Sequence, residues 1–189
     1  MHVSRIAAFA ALMLAAPSGF AAETFAVDTV HSTVLYKVKH LNVSHAYGRF
    51  NNISGSFAID PADPANSKFE FTVKTDSIDT GNQGRDNHLK GPDFFNARQF
   101  PTITFKSKSV ESAGKDAYKV TGDLTLHGVT KEVTLKVDHT GAGAGMRGEK
   151  ISGIHTELGL KRSDFGMKNM MGAVADDVTV VVSIEGTAK

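Results

Sequence analysis

The sequence predicts an all-β fold of about eight antiparallel strands with one short helical insert. The first observation is that apolar and polar residues alternate along most of the chain, as where Phe69, Phe71 and Val73 alternate with Glu70 and Thr72. Such alternation is typical of half-buried strands with one solvated face. The second observation is that short turn-forming segments separate the alternating runs. Eight such strands can form a sandwich or a barrel. A closed barrel has no exposed edge, and its interior is filled by side chains or holds one small ligand.

The alternation divides the chain into eight predicted strands. They span residues 30–43, 48–60, 67–78, 102–110, 118–126, 129–137, 149–160 and 177–186. Asp, Pro and Gly mark the predicted turns at residues 60–64, 113–116 and 127–128. The Gly-rich residues 141–148 join two strands and predict a loose hairpin.

Two stretches lack the alternation. Residues 82–96 predict a short helix that is broken near Gly91 and Pro92, because proline cannot continue a helix interior. Residues 163–175 are rich in Gly and Met and predict an irregular segment. With no repeat and no linker in the sequence, we expect one barrel domain over residues 22–189.

The first residues predict a secretory signal peptide over residues 1–21. His2 and Arg5 give a basic start, residues 6–16 form an apolar run, and small residues follow. The run is shorter than the roughly 20 apolar residues of a spanning helix. Cleavage fits best after Ala21, with Ala22 as the alternative. We therefore expect a periplasmic protein; the other interpretation of this segment is a buried N-terminal helix.

Composition limits the classes of function. The sequence has no Cys, so its core has no disulfide to support it, and a thiol nucleophile and thiolate metal ligands are excluded. Lys and Arg number 21 against 20 Asp and Glu, for a net charge of +1. This balance gives no electrostatic reason to expect nucleic acid or an anionic membrane as partner.

Short motifs occur in a specific order across nearly all of residues 22–189. They are residues 27–32 (VDTVHS), His40, residues 48–50 (GRF), 55–57 (GSF), 77–81 (SIDTG), 85–89 (RDNHL), 93–96 (DFFN), 100–105 (FPTITF), 122–131 (GDLTLHGVTK) and 162–166 (RSDFG). The ordered set resembles the YceI-like family, with Phe25 where many relatives place Trp. The resemblance implies an exported, eight-stranded antiparallel lipocalin-like barrel with the short helical insert near its mouth. It also implies an apolar lumen that binds a polyisoprenoid or another long-chain amphiphile.

The expected ligand is a long-chain isoprenoid or quinone-like lipid, as the resemblance implies. The charge balance gives no expectation of nucleic acid as partner, and a transient contact with a membrane or a membrane protein is compatible with carrying such a lipid. A monomer and a homodimer are both compatible with the resemblance. On this view the lumen is lined by large apolar side chains at the inward-facing positions of the strands and in the second irregular segment, residues 163–175. The candidates are Val34, Tyr36, Val38, Phe57, Phe69, Phe71, Phe105, Leu124, Leu126, Leu135, Phe165, Met170, Met171 and Val180. The alternative is that these residues form an ordinary filled core, with the Phe and Met residues of the second segment plugging one end.

Polar residues of the insert are candidates for holding a ligand's head group. Arg85, Asp86 and His88 lie within one predicted helix, where residues three or four apart share a face. Alternatively, Arg85 ties the insert to the barrel through a carboxylate and Asp86 caps a helix end.

We expect a binding protein rather than an enzyme, with no cofactor and no metal. No nucleophile-elbow, P-loop or dinucleotide motif is present, and the histidines lack the helical i, i+4 pair of a metalloprotease. Two alternatives remain open. One is a hydrolase or isomerase that uses Asp86, His88 or Asp164 as acid or base. The other is a structural barrel with a filled core.

Overall fold

The computed structural model describes residues 22–189, and the predicted signal peptide lies outside the described residues. The strands are β1 Thr24–Val27, β2 Thr33–His40, β3 Ser44–Phe50, β4 Ile53–Ala58, β5 Lys68–Lys74, β6 Ile78–Asp79, β7 Thr102–Gly114, β8 Ala117–Leu126, β9 Val129–Ala144, β10 Lys150–Lys161 and β11 Val174–Ala188. One α-helix, α1, spans Gln83–Lys90, and short 3₁₀ helices span Pro64–Asn66, Thr75–Ser77 and Arg162–Phe165. No helix within residues 22–189 has the length and apolar character needed to cross a bilayer.

The strands close into an eight-stranded antiparallel barrel in the order β1, β4, β5, β7, β8, β9, β10 and β11, with β11 pairing back to β1. The strands β2, β3 and β6 extend this wall at one end, because β1 and β2 pair with successive parts of β11. The predicted fold class is confirmed. We call the end where β2 finishes and β11 begins the mouth end.

Several boundaries differ from the prediction. The predicted strand over residues 67–78 ends at Lys74 and is followed by the 3₁₀ helix Thr75–Ser77 and the short β6, and β9 continues to Ala144, into the stretch predicted as a loose hairpin. The predicted first strand omits β1, and the stretch from Asp28 to Ser32 is a turn in which the Asp28 carboxylate accepts a hydrogen bond from the Val30 amide at 2.8 Å. The predicted strand over residues 48–60 is two strands, β3 and β4. Asn51 and Asn52 interrupt it, since their amides bond instead to the carbonyl and hydroxyl of Ser77 at 3.0 and 3.1 Å.

Stacked phenylalanine rings fill the end of the barrel opposite the mouth. The Phe57 ring lies 5.6 Å from Phe25 and 6.4 Å from Phe69, centroid to centroid, in stacked arrangements. Gly186 on β11 lets these rings approach the backbone, because a Cβ there would lie 2.8 Å from atoms of Phe25 and Phe57. This end is therefore closed by packing.

A second apolar cluster lies at the mouth end, on the side of β8 and β10. Its buried members are Leu126, Phe165 and Met167, with Leu124 and Leu160 packed against them. This cluster closes one half of the mouth end and leaves the half beside β2 and β3 to the helical insert.

Candidate functional site

The helical insert covers the mouth end beside β2 and β3. The Asn82 side chain caps α1 by accepting the Arg85 amide hydrogen bond at 2.9 Å, and the helix ends at Gly91. The predicted helix and its break are thus where the sequence placed them. After the helix, Phe95 packs edge-on against Phe50 of β3 with centroids 5.5 Å apart, which fixes the insert to the barrel.

A cleft of about 530 Å³ lies between α1, the β2–β3 hairpin and the loop before β11. Its lining residues are Tyr36, Val38, His40, Ser44, His45, Ala46, Tyr47, Thr80, Arg85, His88, Leu89, Phe94, Met170 and Val174. Its volume lies within the range of small-molecule sites. The ionisable groups of the lining are Arg85, three histidines and two tyrosines, with no carboxylate among them. The cleft therefore favours a ligand that is anionic or accepts hydrogen bonds.

Arg85 is held so that part of its guanidinium remains available. Its Nε donates to the Thr80 hydroxyl and its Nη2 to the Thr80 carbonyl, both at 2.8 Å. Its Nη1 makes no hydrogen bond with any of the residues that the structure describes. The alternative that Arg85 anchors the insert through a carboxylate is wrong: the anchor is Thr80. A pre-positioned guanidinium with a free edge suits an anionic head group.

The other two predicted head-group residues differ from each other. His88 lines the cleft, with Nε2 at 3.0 Å from an Asp93 oxygen and its ring edge-on to Phe94 at 5.0 Å. Asp86 is not part of the lining, because its carboxylate accepts hydrogen bonds from the amide and the hydroxyl of Thr80. Asp86 does not cap the helix either; Asn82 does.

Two smaller chambers lie in the barrel: the upper one adjoins the cleft, and the deep one shares no lining residue with the cleft or with the upper chamber. The upper chamber, of about 100 Å³, is apolar except for Arg162 and shares Tyr36, Val38 and Leu89 with the cleft. The deep chamber, of about 60 Å³, is lined by Phe69, Phe71, Phe105, Leu135, Val137, Ile154, Thr156 and Val182. The cleft and the upper chamber therefore lead from a polar opening to an apolar interior, and the side chains between the upper and the deep chamber separate those two spaces.

Tyr36 stands at the boundary between the cleft and the upper chamber. Burial raises the pKa of its phenol to about 12, so the hydroxyl stays protonated at neutral pH. Gly48 on the paired strand makes room for the ring, because a Cβ at Gly48 would overlap it. A neutral, amphipathic side chain thus separates the polar and apolar spaces.

The floor of the upper chamber contains a buried cation. Arg162 is 4% exposed, and its guanidinium donates to the carbonyls of Ala175, Met167 and Val174 at 3.0, 2.9 and 2.8 Å. Burial lowers its pKa, and the nearby Asp176 opposes that shift. These bonds fix both ends of the loop before β11, whose Met170 lines the cleft.

The deep chamber contains one polar group. The Thr156 side chain is on β10, the residue is 7% exposed, and its hydroxyl has no hydrogen-bond partner among the described residues. An unpaired buried hydroxyl costs about 1–3 kcal/mol. The chamber is otherwise lined by apolar side chains.

The structure separates the predicted lumen residues into two groups. Those that border the cleft or a chamber are Tyr36, Val38, Phe69, Phe71, Phe105, Leu135, Met170 and Val180. Those that border none of these three spaces are Val34, Phe57, Leu124, Leu126, Phe165 and Met171. Most of the second group are packed core, whereas Met171 is 43% exposed.

Sequence reasoning missed several lining residues. They are His40, His45, Tyr47, Thr80, Leu89, Phe94, Val174 and Val178. The helical spacing of Arg85, His88 and Leu89 was a usable signal for Leu89, because residues 85 and 89 are one turn apart. The hairpin histidines carried no comparable signal in the sequence.

A separate polar cluster lies in the turn between β1 and β2, away from the cleft. His31 Nδ1 is 2.8 Å from an Asp28 oxygen and 3.6 Å from a Glu185 oxygen. The hydrogen bond with Asp28 raises the pKa of His31, and the same bond lowers the pKa of Asp28. Three such ligand types together can hold a metal ion. Here the Asp28 carboxylate also accepts the Val30 amide, so its bonds close the turn.

A closed antiparallel barrel with one packed end, an apolar interior and a polar cleft at the other end defines a lipocalin-like class of protein. The chain belongs to the YceI-like family, whose domain model matches residues 25–186. The protein YceI of Escherichia coli O17:K52:H18 is 39% identical over 180 residues, covering 94% of this chain and 93% of that protein.

Solved structures agree on the fold. The crystal structure of BcnA from Burkholderia cenocepacia has a TM-score of 0.77 and 29% identity, covering 84% of this chain and 98% of that one. A polyisoprenoid-binding domain from Saccharophagus degradans has a TM-score of 0.70 at 14% identity, covering 89% of this chain and 99% of that one. The second likeness concerns the fold alone.

Proposed function

We propose that this protein binds a long-chain amphiphile of the isoprenoid type, with the head group in the cleft and the tail in the chambers beneath it. We further propose that it is exported by its N-terminal segment and sequesters or transports this lipid in the periplasm. The observation that carries the proposal is the shared lining of the cleft and the upper chamber by Tyr36, Val38 and Leu89. A head-and-tail molecule matches a polar space that continues into an apolar one.

The head group is an anion or a strong acceptor, such as a phosphate, a carboxylate or a quinone carbonyl. Arg85 lines the cleft with its Nη1 unpaired among the described residues, and His40, His45 and His88 line the same space. The opposite assignment, a cationic head, would lack a carboxylate partner in the lining. The polyisoprenoid-binding domain with this fold supports the choice of an isoprenoid tail.

Burial of the tail supplies the binding energy. A tail that loses roughly 400 Å² of apolar surface gains on the order of 10 kcal/mol at about 25 cal/mol/Å². Association and ordering of the tail oppose this by about 4–15 kcal/mol. This balance leaves at most about 6 kcal/mol from the tail, which corresponds to a Kd of tens of micromolar, so contacts of the head group in the cleft have to supply any tighter affinity.

The tail has to displace side chains as it enters. The chambers of about 100 and 60 Å³ correspond to only about three and two water molecules at roughly 30 Å³ each, which is too little room for a long-chain tail. Phe71, Phe105 and Met167, which border them, are the side chains that must move. Methionine adapts to irregular apolar shapes, which suits Met167 to this movement. We therefore expect bound lipid to enlarge the interior and to stabilise the fold by linkage.

A calorimetric titration with geranylgeranyl phosphate tests the proposal on the signal-processed protein. We expect Phe71→Asp to abolish binding, because an ionised carboxylate in the deep chamber opposes an apolar tail. The matched control is Thr72→Asp, one residue along β5, which faces the opposite side of the sheet. Circular dichroism establishes that both variants fold.

Three results of this titration are distinguishable. Binding by wild type and Thr72→Asp but not by folded Phe71→Asp supports the tail site. Binding by all three proteins contradicts it. No binding by wild type favours a barrel with a filled core. Chromatography of the recovered ligand tests the enzymatic alternative, since a carrier returns geranylgeranyl phosphate unchanged and a hydrolase or isomerase does not.

A further inference from the structure

We infer that the mouth end of the barrel docks on the surface of a lipid bilayer that contains anionic lipids. The docking surface consists of the tip of the β2–β3 hairpin and the neighbouring loop before β11. This inference goes beyond ligand binding, and each can fail without the other. It rests on the distribution of exposed apolar and cationic side chains around the cleft.

Apolar side chains are exposed at this end to an unusual degree. Leu41 is 57% exposed, Val43 85%, Tyr47 60%, Met170 44% and Met171 43%. Among residues 22–189 these are five of the eight large apolar side chains that are exposed. Single exposed apolar residues are ordinary, but a contiguous group marks an interaction surface.

The backbone holds the two loops together. The Leu41 amide donates to the Ala173 carbonyl at 2.7 Å, which joins the hairpin tip to the loop that carries Met170. Leu41 and Asn42 have left-handed φ values of 49° and 57°, and the Val43 amide donates to the His40 carbonyl at 3.0 Å, which closes the three-residue connection as a tight turn. The apolar tip is thus preformed, and docking would cost little ordering entropy.

The charged side chains of the hairpin and the adjoining loop themselves are all positive, and the acids beside them are engaged. Asp176 accepts hydrogen bonds from Ser163, Asp177 pairs with Lys161, and Asp79 lies opposite Arg49. No Asp or Glu occurs from residue 29 to residue 59, whereas Lys37, Lys39 and Arg49 lie on the hairpin strands. Lys168 lies in the adjoining loop, whose residues 166–173 also lack an acid. The net charge of +1 therefore does not reflect an even distribution of charge along the sequence.

Apolar side chains flanked by cations are the composition of a surface that lies in the bilayer interface. The apolar side chains enter the boundary between head groups and acyl chains, and the Lys and Arg side chains meet anionic head groups. A protein partner would need a matching acidic rim around an apolar socket, and a second copy of this end would bring like charges together. The charge pattern therefore favours the bilayer.

Docking in this orientation would direct the cleft toward the lipid. Tyr47 and Met170 belong both to the exposed apolar group and to the cleft lining. An apolar molecule that moves between the membrane and the barrel would then cross no water. The opposite end of the barrel carries Met146 in the β9–β10 turn, so it provides a control site far from the cleft.

Vesicle sedimentation tests the inference. The probes are vesicles of phosphatidylcholine with phosphatidylglycerol and vesicles of phosphatidylcholine alone, and the protein is the signal-processed chain. We expect binding to the anionic vesicles that weakens as salt rises. Val43→Glu should lower the partition coefficient at least tenfold and Lys39→Gln about fivefold, while Met146→Glu, at a fully exposed side chain, should leave it unchanged.

Equal partition of Val43→Glu and Met146→Glu would overturn the inference, and so would the absence of wild-type binding to anionic vesicles. A wild-type dimer that Val43→Glu converts to a monomer, without vesicle binding, would assign this end to a second copy instead. Val43 and Lys39 do not line the cleft, so both variants should bind geranylgeranyl phosphate as wild type does. If the wild-type protein does not bind geranylgeranyl phosphate, the ligand proposal is refuted, and the vesicle result still decides whether this end docks on a bilayer.

Discussion

Replacing Arg162 with methionine tests whether the buried guanidinium holds the mouth of the barrel together. Arg162 makes three hydrogen bonds to the carbonyls of Met167, Val174 and Ala175. Hydrogen bonds from a charged group contribute about 1.5–3 kcal/mol each. They belong to one side chain and do not add, and methionine also removes a desolvated charge. We therefore expect Arg162→Met to lower the free energy of unfolding by about 3–5 kcal/mol.

Urea unfolding followed by circular dichroism measures this change. With an m-value of about 2 kcal/mol/M, the transition midpoint should fall by roughly 2 M. Arg147→Met is the control, because Arg147 is an exposed residue in the turn at the other end of the barrel. We also expect weaker retention of geranylgeranyl phosphate, since Met167 and Val174 border the upper chamber. If Arg162→Met and Arg147→Met unfold at the same midpoint, the three bonds do not stabilise the mouth and the reasoning is wrong.

Three further predictions concern stability and pH. Thr156→Val should raise the free energy of unfolding by about 1–2 kcal/mol in thermal or urea denaturation, because it removes an unpaired buried hydroxyl; a destabilised variant would show that the hydroxyl is paired. Gly48→Ala should lower that free energy by about 1–3 kcal/mol and weaken lipid binding, because the new Cβ overlaps the Tyr36 ring; wild-type values for both would contradict the overlap. The hydrogen bond between His31 and Asp28 raises the pKa of His31 and lowers the pKa of Asp28. Its contribution to folding stability is therefore largest between pH 3.8 and pH 6.5, the ordinary pKa values of the two groups, and it is lost as the pH rises through the raised pKa of His31. The stability advantage of wild type over His31→Gln should accordingly shrink from pH 6 toward pH 8, and an advantage that is constant with pH would refute the ion pair.

The barrel could be predicted from the sequence because alternation survives in every long strand. The helical insert was predictable for the opposite reason, since residues 82–96 lack alternation and contain the stop at Gly91 and Pro92. The errors lie where tertiary contacts decide the boundary. The four residues of β1 are too few to show a period, and the break at Asn51 and Asn52 depends on bonds to Ser77, 25 or more residues away.

The site was predictable only in part, because alternation assigns a side chain to the inward face without saying what lies opposite it. Phe71 and Leu124 are both inward-facing candidates, yet only Phe71 borders a chamber. Leu124 packs instead against a cluster that includes Phe165, which is 41 residues further along the chain. His45 lines the cleft only because α1 folds over the hairpin. Such contacts follow from how distant segments meet.

Mass spectrometry of organic extracts from the natively purified, signal-processed protein tests the central claim most directly. We predict one lipid per barrel, with an isoprenoid tail and a head group that is anionic or accepts hydrogen bonds. The same species should be lost from folded Phe71→Asp and retained by Thr72→Asp. Extracts that contain no lipid, even after incubation of the protein with total membrane lipids, would contradict the claim that the barrel is a lipid carrier.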